Sequence, residues 1–172
     1  MTDETKPLPT EIDDADAMFE ACSTGDTETV EKLLRTGFDK DRDLMRGHTR
    51  SGNTPLNVAS WNGCIKVVDI LLRRGADMEK SNSQGATPLH SACAMGHSEI
   101  AASLIHAGAC KDARDEWERT PLFVAVFCRR DDAAEILIRV GADASIPDKF
   151  GRIPLDVAKA ENCQKIVAML SH

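Results

Sequence analysis

The side chains best suited to metal binding or nucleophilic chemistry in this sequence are its five histidines and six cysteines. His90 and Cys93 are three residues apart, so on a helix both would lie on one face, where they could share a zinc ion. The cysteines lack the CxxC spacing of common zinc and redox sites. Because no apolar signal segment follows Met1, we expect reduced thiols and a cytoplasmic or nuclear protein.

Sequence motifs of the common enzyme classes are missing. The chain contains no GxxxxGKS/T, GxGxxG, GxSxG or HExxH pattern. Phosphate-binding loops, dinucleotide sites, serine hydrolases and zinc proteases therefore have no support in the sequence. We predict that the protein is not an enzyme and that it needs no cofactor and no metal.

Composition favours closely packed helices. Hydrophobic residues make up 42% of the 172 residues, aromatic residues only 4%, and there is no tyrosine. A core must therefore be built from Leu, Ile, Val and Ala. The net charge is −7, of which residues 1–20 carry −6. We expect no nucleic-acid partner, because a basic surface is missing, and no membrane span, because no apolar run of about 18 residues occurs.

A motif of the type Thr-Pro-Leu recurs at a constant step of 33 residues. A Gly-Ala pair and a single alanine keep the same step. The members are Thr54-Pro55-Leu56, Thr87-Pro88-Leu89, Thr120-Pro121-Leu122 and Ile153-Pro154-Leu155, then Gly75-Ala76, Gly108-Ala109 and Gly141-Ala142, then Ala59, Ala92, Ala125 and Ala158. Three markers in one register indicate an internal structural repeat.

Each repeat has the pattern of two short helices followed by a turn-rich segment. In one copy, Thr87 can cap a helix that has proline in its first turn, and Gly96 ends that helix. A second helix with an apolar stripe begins at Ser98 and ends at Gly108. Residues 109–119 lack helical periodicity and contain turn-forming residues, which suits a projecting β-hairpin.

The run Thr87 to Ala92 reads T-P-L-H-x-A, and in its 33-residue frame it resembles the signature of the ankyrin-repeat family. This resemblance implies an all-α solenoid of about five helix-turn-helix repeats with projecting β-hairpin loops. The repeat domain would span 14–172, with repeats at about 14–41, 50–82, 83–115, 116–148 and 149–172. Residues 1–13 would be a disordered acidic leader, either a solubilising tail or a cover for the binding face.

Three places depart from the repeat. The first hairpin, within residues 39–52, is five residues longer than the later ones. In the fourth copy, Glu118 and Arg129 stand where the preceding copies have glycine. A non-glycine residue in a left-handed turn costs about 1 kcal/mol, so this copy would be a weaker repeat or a strained functional site. The last copy has a polar outer face, which suits an end cap and favours a self-contained chain.

The repeat frame also weighs against metal and disulfide sites. In the ankyrin frame His90 is the signature histidine, which hydrogen-bonds the backbone at the repeat entrance, and Cys93 is a buried small residue. Cys64, His97 and Cys163 share one position of the repeat, but neighbouring copies lie roughly 8–10 Å apart by helix packing. Zinc–ligand bonds of about 2.0–2.3 Å and disulfides cannot bridge such distances.

Ankyrin proteins bind partners on a concave face formed by the hairpin tips and the exposed side of each first helix. Both tryptophans and two of the five phenylalanines fall at these positions. Exposed aromatic and arginine side chains are typical of binding hot spots. Alternatively, Trp61 and Phe127 pack between repeats and Trp117 covers a hairpin. A separate hypothesis is that Cys128 is an accessible, reactive thiol. The predicted partner-binding residues are Trp61, Asn62, Met95, Trp117, Arg119, Phe127, Cys128, Phe150 and Arg152.

The hairpin that contains Asp115 and Trp117 is similar to a segment of the tankyrase ankyrin clusters, in which a tryptophan at this position helps to hold the arginine of a bound peptide. The aromatic residue and the acid that complete that cradle fall on Arg119 and Val124. Arg119 would repel a ligand arginine, and Val124 has no charge. The resemblance therefore supports a concave peptide site but not that particular ligand.

Together these features predict a non-enzymatic scaffold that binds a protein or an extended peptide on its concave face and is monomeric when alone. Two alternatives stay open. One is an adaptor or regulatory subunit that masks a partner within a larger assembly. The other is a structural unit that associates with itself.

Overall fold

A computed structural model describes residues 11–46 and 49–171, without the side chains of 11–13 and 45–51. The first ten residues of the predicted leader lie outside this part of the chain, and the first helix begins at Glu11, three residues before the predicted repeat domain. The described elements are α1 (Glu11–Thr24), α2 (Thr27–Arg35), β1 (Leu44–Arg46), β2 (Thr49–Asn53), α3 (Pro55–Asn62), α4 (Ile65–Arg73), α5 (Pro88–Met95), α6 (Ser98–His106), α7 (Pro121–Phe127), α8 (Asp131–Arg139), α9 (Pro154–Ala160) and α10 (Gln164–Leu170).

The helices stack as five pairs in two layers. The odd-numbered helices form the inner layer, in which each contacts the next one along the chain. The even-numbered helices pack behind them and contact one another as an outer layer. The predicted all-α solenoid of helix-turn-helix repeats is thereby confirmed. Within residues 11–46 and 49–171, no helix is long and apolar enough to cross a membrane.

The Thr-Pro-Leu motif starts each of the later inner helices. Thr54 Oγ1 accepts a hydrogen bond from the N–H of Asn57 at 3.2 Å, so it satisfies one of the unpaired N–H groups of the first turn. Proline occupies the first helical position in all four copies, where its missing N–H costs nothing. In the last copy Ile153 has no capping oxygen, and Asp156 Oδ2 instead accepts the Ile153 N–H at 3.0 Å.

Glycines between the two helices of a repeat make room for the next repeat. A Cβ atom at Gly63 would lie 2.7 Å from Cε1 of His97. One at Gly96 would lie 2.9 Å from Cδ of Arg130. Both side chains cross the glycine and donate a hydrogen bond of 3.1 Å to a main-chain carbonyl of the preceding repeat. The glycine is therefore needed both for its left-handed backbone, with φ near 80° at both positions, and for the space above it.

The projecting loops are closed by an acidic or amide side chain at their first position. Oδ1 of Asn82, Asp115 and Asp148 accepts the N–H groups two and four residues further on. Main-chain hydrogen bonds of 3.0 Å join successive loops. In the described part of the chain, these later loops are hairpin turns without strands, because the hydrogen bonding does not continue beyond the turn.

Strands form at the first hairpin, where the sequence indicates an insertion within 39–52. β1 and β2 pair antiparallel, with Leu44 opposite Asn53 and Arg46 opposite Thr49. Leu44 is fully buried, and β1 packs against α1. Helix α1 has 14 residues whereas α3 has 8. The first helix is therefore longer than α3, and the longer hairpin packs against it.

The fourth copy has the unusual backbone that its sequence predicts. Glu118 and Arg129 are left-handed, with φ of 61° and 57°, and Asn162 in the last copy is a third such residue. Asparagine adopts this conformation more readily than arginine or glutamate. Where Arg129 replaces glycine, the position of the next repeat that corresponds to His97 and Arg130 is occupied by the smaller Cys163.

We expect Arg129→Gly to stabilise the protein. Arg129 is exposed, and no described residue forms a hydrogen bond or an ion pair with its guanidinium. Removing Cβ relieves the left-handed strain, so the free energy of unfolding measured in urea should rise by about 1 kcal/mol. Arg129→Ala keeps the Cβ atom and serves as the control, which should show no such gain. A loss of stability in the glycine variant would contradict the strain assignment.

Candidate functional site

Two adjacent cavities open on the inner face, between the hairpin turns and helices α3, α5 and α7. The first, of about 300 Å³, is called the amide cavity. It is lined by Phe19, Asn53, Asn57, Val58, Trp61, Asn62, Asn82, Gln84 and Ser91. The second, of about 250 Å³, is called the aromatic cavity. It is lined by Trp61, Asn82, Gln84, Ala86, His90, Ser91, Ala94, Asp115, Trp117, Arg119, Val124, Phe127 and Cys128.

The two cavities form one groove. They share four lining residues, Trp61, Asn82, Gln84 and Ser91. Trp61 is the largest of the four and is 50% exposed, so its ring is a wall common to both. The groove reaches from Phe19 in the first repeat to the inner helix of the fourth, and we call it the inner groove.

The aromatic cavity exists because a small residue separates two large ones. Trp61, Ala94 and Phe127 occupy the same position in three successive repeats. Ala94 leaves a hollow between the two rings, and Trp117 borders it from the hairpin side. Phe127 is 47% exposed, and its ring stacks on buried Phe123 with centroids 6.4 Å apart and planes 17° apart. Rings held in this way present apolar area at little cost in side-chain entropy.

Arg119 is fixed beside this cavity by a buried carboxylate. Its Nε and Nη2 atoms lie 2.8 Å and 2.7 Å from Oδ2 of Asp115, whose side chain is 1% exposed. The guanidinium carbon lies 4.4 Å from the centroid of the Trp117 ring, in a cation–π contact. The chain's own arginine therefore already makes a cation–π contact with this tryptophan.

The amide cavity has a different chemistry, since the described residues that line it include five carboxamides and no ionisable side chain. Four of these amides are held by hydrogen bonds within the protein. Asn57 Nδ2 donates to the Ala86 carbonyl at 3.3 Å, and Asn82 Nδ2 donates to Asn53 Oδ1 at 3.0 Å. Asn62 Nδ2 donates to the carbonyl of Val58 at 2.8 Å. The polar wall is thus both neutral and ordered.

The structure divides the residues that the sequence assigned to one binding surface. Those that line the groove are Trp61, Asn62, Trp117, Arg119, Phe127 and Cys128. The remaining three, Met95, Phe150 and Arg152, border neither cavity, and their place in a binding surface stays a prediction. Met95 lies in a polar hollow next to Arg129 and Arg130 at the start of α8. Phe150, 70% exposed, lies 5.4 Å from the guanidinium carbon of Arg152 by its ring centroid. Lys149 Nζ approaches both this ring and that of Trp117, at 5.5 Å and 5.6 Å from their centroids.

Several lining residues are missing from the sequence prediction. Phe19 and Asn57 occupy the position that His90 has in its repeat, and Asn82 directly precedes the predicted hairpin tip. The repeat spacing, corrected for the insertion in the first hairpin, could have found Phe19 and Asn57. The repeat spacing does not predict Asn53 and Ser91 as lining residues, because neither occupies a position that the ankyrin frame assigns to the binding face.

The groove cysteine is a poor nucleophile. Burial raises the pKa of Cys128 despite the nearby Arg130 and Arg119, so the thiolate is disfavoured at neutral pH. The reactive-thiol interpretation therefore loses support. Within the described ranges, no group of three or more His, Cys, Asp or Glu side chains is placed to hold a metal ion.

His90 is a neutral structural histidine with a defined tautomer. Its Nδ1 faces the N–H of Thr87 at 3.3 Å, which can only donate, so Nδ1 must accept. Its Nε2 lies 2.9 Å from the Arg119 carbonyl, which can only accept, so Nε2 carries the proton. The ring thereby joins the entrance of one repeat to the hairpin of the next. Burial lowers the pKa of His90 and outweighs the hydrogen bond to Arg119, which acts in the opposite direction.

Comparison with known proteins agrees with this geometry. The family model described as ankyrin repeats (three copies) matches residues 3–82 and 74–148. A segment of 74 residues is 40% identical to the ankyrin repeat, SAM and basic leucine zipper domain-containing protein 1 of Echinops telfairi. That segment is 42% of this chain but only 14% of the relative, so the chain corresponds to a small part of that protein's length.

We expect His90→Asn to remove a pH-dependent part of the stability. The unfolded chain binds a proton at His90 near pH 6.5, whereas the folded chain resists it, so the free energy of unfolding must fall as the pH drops through about 6.5. Asn57 makes the same two contacts in the preceding repeat without titrating. The variant should therefore unfold like wild type at pH 8 and lose less stability between pH 7 and 5.

The control for this prediction is His106→Asn, which changes an exposed histidine at the end of α6. It should keep the pH dependence of wild type in urea unfolding followed by circular dichroism. Parallel pH profiles for wild type and His90→Asn would contradict the assignment of a buried neutral His90.

Proposed function

Because this chain belongs to the ankyrin-repeat family and ankyrin repeats are generally protein–protein interaction modules, we propose that it is a non-enzymatic scaffold that holds a protein or an extended peptide in its inner groove. The observation that carries the proposal is the convergence of Trp61, Trp117 and Phe127 on one cavity. Aromatic side chains that are rigidly held and accessible in a hollow are typical of binding hot spots.

The position of the rings supports binding rather than core packing. Trp61 and Phe127 lie at the C-terminal ends of their helices with about half of their surface exposed, whereas Phe123, as large as Phe127 and in the same helix, is buried completely. Burying that exposed area against a partner would be worth roughly 25 cal/mol per Å². The helices that present the rings belong to the packed inner layer, so little order has to be gained on binding.

The chemistry of the groove favours a binding role over catalysis. Among the side chains that line the two cavities, Arg119 is paired with Asp115 and His90 is neutral with both nitrogens engaged. Cys128 has a raised thiol pKa. General acid–base or nucleophilic catalysis needs a group with an accessible lone pair or proton, and these residues are committed to structural contacts.

An adaptor role within a larger assembly is the second candidate. The name of the Echinops telfairi relative joins ankyrin repeats with a SAM and a basic leucine zipper domain, so in that protein the repeats occur beside other domains. In such a role the chain would mask one surface of its partner while another part of the assembly acts. Self-association is the third candidate.

We expect Trp61→Ala and Phe127→Ala, alone and combined, to lose partner binding while the fold is kept. About half of each ring is buried, so each change should cost about 2 kcal/mol, a fall in melting temperature of roughly 4–8 °C. Loss of a hot-spot ring should weaken binding by about 2 kcal/mol, roughly thirtyfold. Affinity capture with mass spectrometry identifies the partners, and calorimetry measures the affinities.

The matched control for the groove variants is Phe150→Ala. This residue is the most exposed large apolar side chain of the described chain, but it lies outside both cavities. It should leave partner binding unchanged. The proposal is wrong if the double variant Trp61→Ala/Phe127→Ala still captures every protein that wild type captures. It is also wrong if Phe150→Ala loses as much partner binding as the groove variants do. A large fall in melting temperature for Trp61→Ala would place that ring in the core instead.

We expect the isolated chain to be monomeric in light scattering at concentrations up to about 100 μM. A scaffold for a different protein leaves its groove open until that partner is present. A dimer that is broken by Trp61→Ala would favour the self-association candidate over the scaffold.

A further inference from the structure

We propose that the groove takes an extended peptide with one large apolar side chain, which enters the aromatic cavity, and that the adjoining peptide residues, which cross the amide cavity, carry no charge. This inference rests on the proposed function, since it names the class of segment that the same groove would bind. Its basis is the difference in polar chemistry between the two halves of the groove.

The amide cavity excludes charged side chains by desolvation. The nine described residues that line it include five carboxamides and no ionisable group that could act as a counter-charge. A lysine or glutamate of the peptide placed against these residues would lose water and gain only neutral dipoles from them. Burying an unpaired charge is far more costly than burying a hydrogen-bonded neutral group. A peptide segment without charges therefore suits this half of the groove.

Two amides at this cavity have groups left over for a peptide backbone. Asn62 donates to Val58 through Nδ2, and its Oδ1 has no donor among the described residues. The side-chain amide of Gln84 is exposed, and no described residue binds it. A carboxamide offers one carbonyl and one NH₂ group, which can pair with the N–H and C=O of an extended peptide unit. These two side chains can therefore hold the main chain without selecting a side-chain charge.

The aromatic cavity suits a single apolar side chain. Its volume of about 250 Å³ lies below the roughly 300–1,000 Å³ of clefts that enclose whole drug-sized ligands. Three rings border it, and its one cationic group, Arg119, is already neutralised by Asp115. An acidic ligand side chain would have to compete with that buried carboxylate. An aliphatic or aromatic side chain needs no such exchange.

Trp61 links the two halves, which sets the order of the peptide residues. Because the cavities share this ring, the apolar residue and the uncharged stretch must be neighbours in the peptide sequence. An extended chain rises about 3.3 Å per residue, so roughly two to four positions beside the apolar residue would cross the amide cavity.

The test uses a phage-displayed library of random twelve-residue peptides, selected on the full chain. Selected peptides should share one aromatic or aliphatic position, flanked on one side by about three positions depleted in Asp, Glu, Lys and Arg. In a synthetic copy of the best peptide, Lys at one of these positions should weaken binding to wild type at least tenfold. The variant Gln84→Glu, which adds a carboxylate to the shared wall without changing its shape, should recover most of that loss.

Gln164→Glu is the matched control, because it makes the same change at an exposed glutamine of α10, far from the groove in the repeat order. It should bind the Lys-substituted peptide as weakly as wild type does. Equal recovery in Gln164→Glu and Gln84→Glu would show a general charge effect and overturn the inference.

The remaining outcomes separate the inference from the proposed function. If Lys and Glu are tolerated within twofold at every position, while Trp61→Ala still abolishes binding, the inference is wrong and the proposed function stands. If the library yields no peptide whose binding depends on Trp61 and Phe127, both are wrong for peptide ligands.

Discussion

Close packing of the successive inner helices is the constraint on which the rest of the structure depends. Each interface is built around an alanine at the same position of the repeat, and all four are fully buried. They are Ala59, Ala92, Ala125 and Ala158. A larger side chain at these places would hold the helices apart, since a close-packed interior has no space to absorb it. The small residues fix the distance between repeats, and that distance decides which side chains on the open face meet.

The repeat position that links one repeat to the next can be occupied by side chains of different chemical type. Asn57 and His90 both receive the N–H of the entrance threonine and donate to a carbonyl of the next hairpin. The equivalent Phe123 cannot do so and lies under Arg152, 5.6 Å from its guanidinium carbon. A buried hydrogen bond and a cation–π contact are thus alternative solutions to one geometric requirement. The substitutions change the groove while the stack stays constant.

The sequence predicts the fold well because its signals are local and repeated. Helix starts follow from threonine and proline, and the left-handed turns at Glu118 and Arg129 follow from glycines in the copies before them. The groove is harder to predict. Repeat spacing assigns Met95 to the same face as Trp61. In the structure, however, Ala94 lines the aromatic cavity, whereas Met95 lines a different, polar hollow. Orientation of this kind depends on packing between repeats, which periodicity does not encode.

The charge of the groove follows from one variable position in the hairpin turn. A carboxylate or an amide closes the turn equally well, because either oxygen can accept the two N–H groups. At the ends of the third and fourth repeats Asp115 and Asp148 close it, and an arginine four residues later binds each carboxylate. Where Asn82 closes the turn, the residue four positions later is Ala86.

The first and the fifth residue of the turn differ together between the repeats: an aspartate is accompanied by an arginine, and the asparagine by an alanine. The cost of burying an unpaired charge explains this correlation. Burial acts to raise the pKa of Asp148, but hydrogen bonds from Arg152 and two N–H groups outweigh it, so the pKa stays below its usual range. An aspartate at position 82 would face Ala86 and have no such partner. The neutral centre of the groove is therefore a consequence of the alanine at position 86. The change from the amide of Asn82 to the paired carboxylate of Asp115, between the ends of the second and the third repeat, gives the groove two chemically distinct halves.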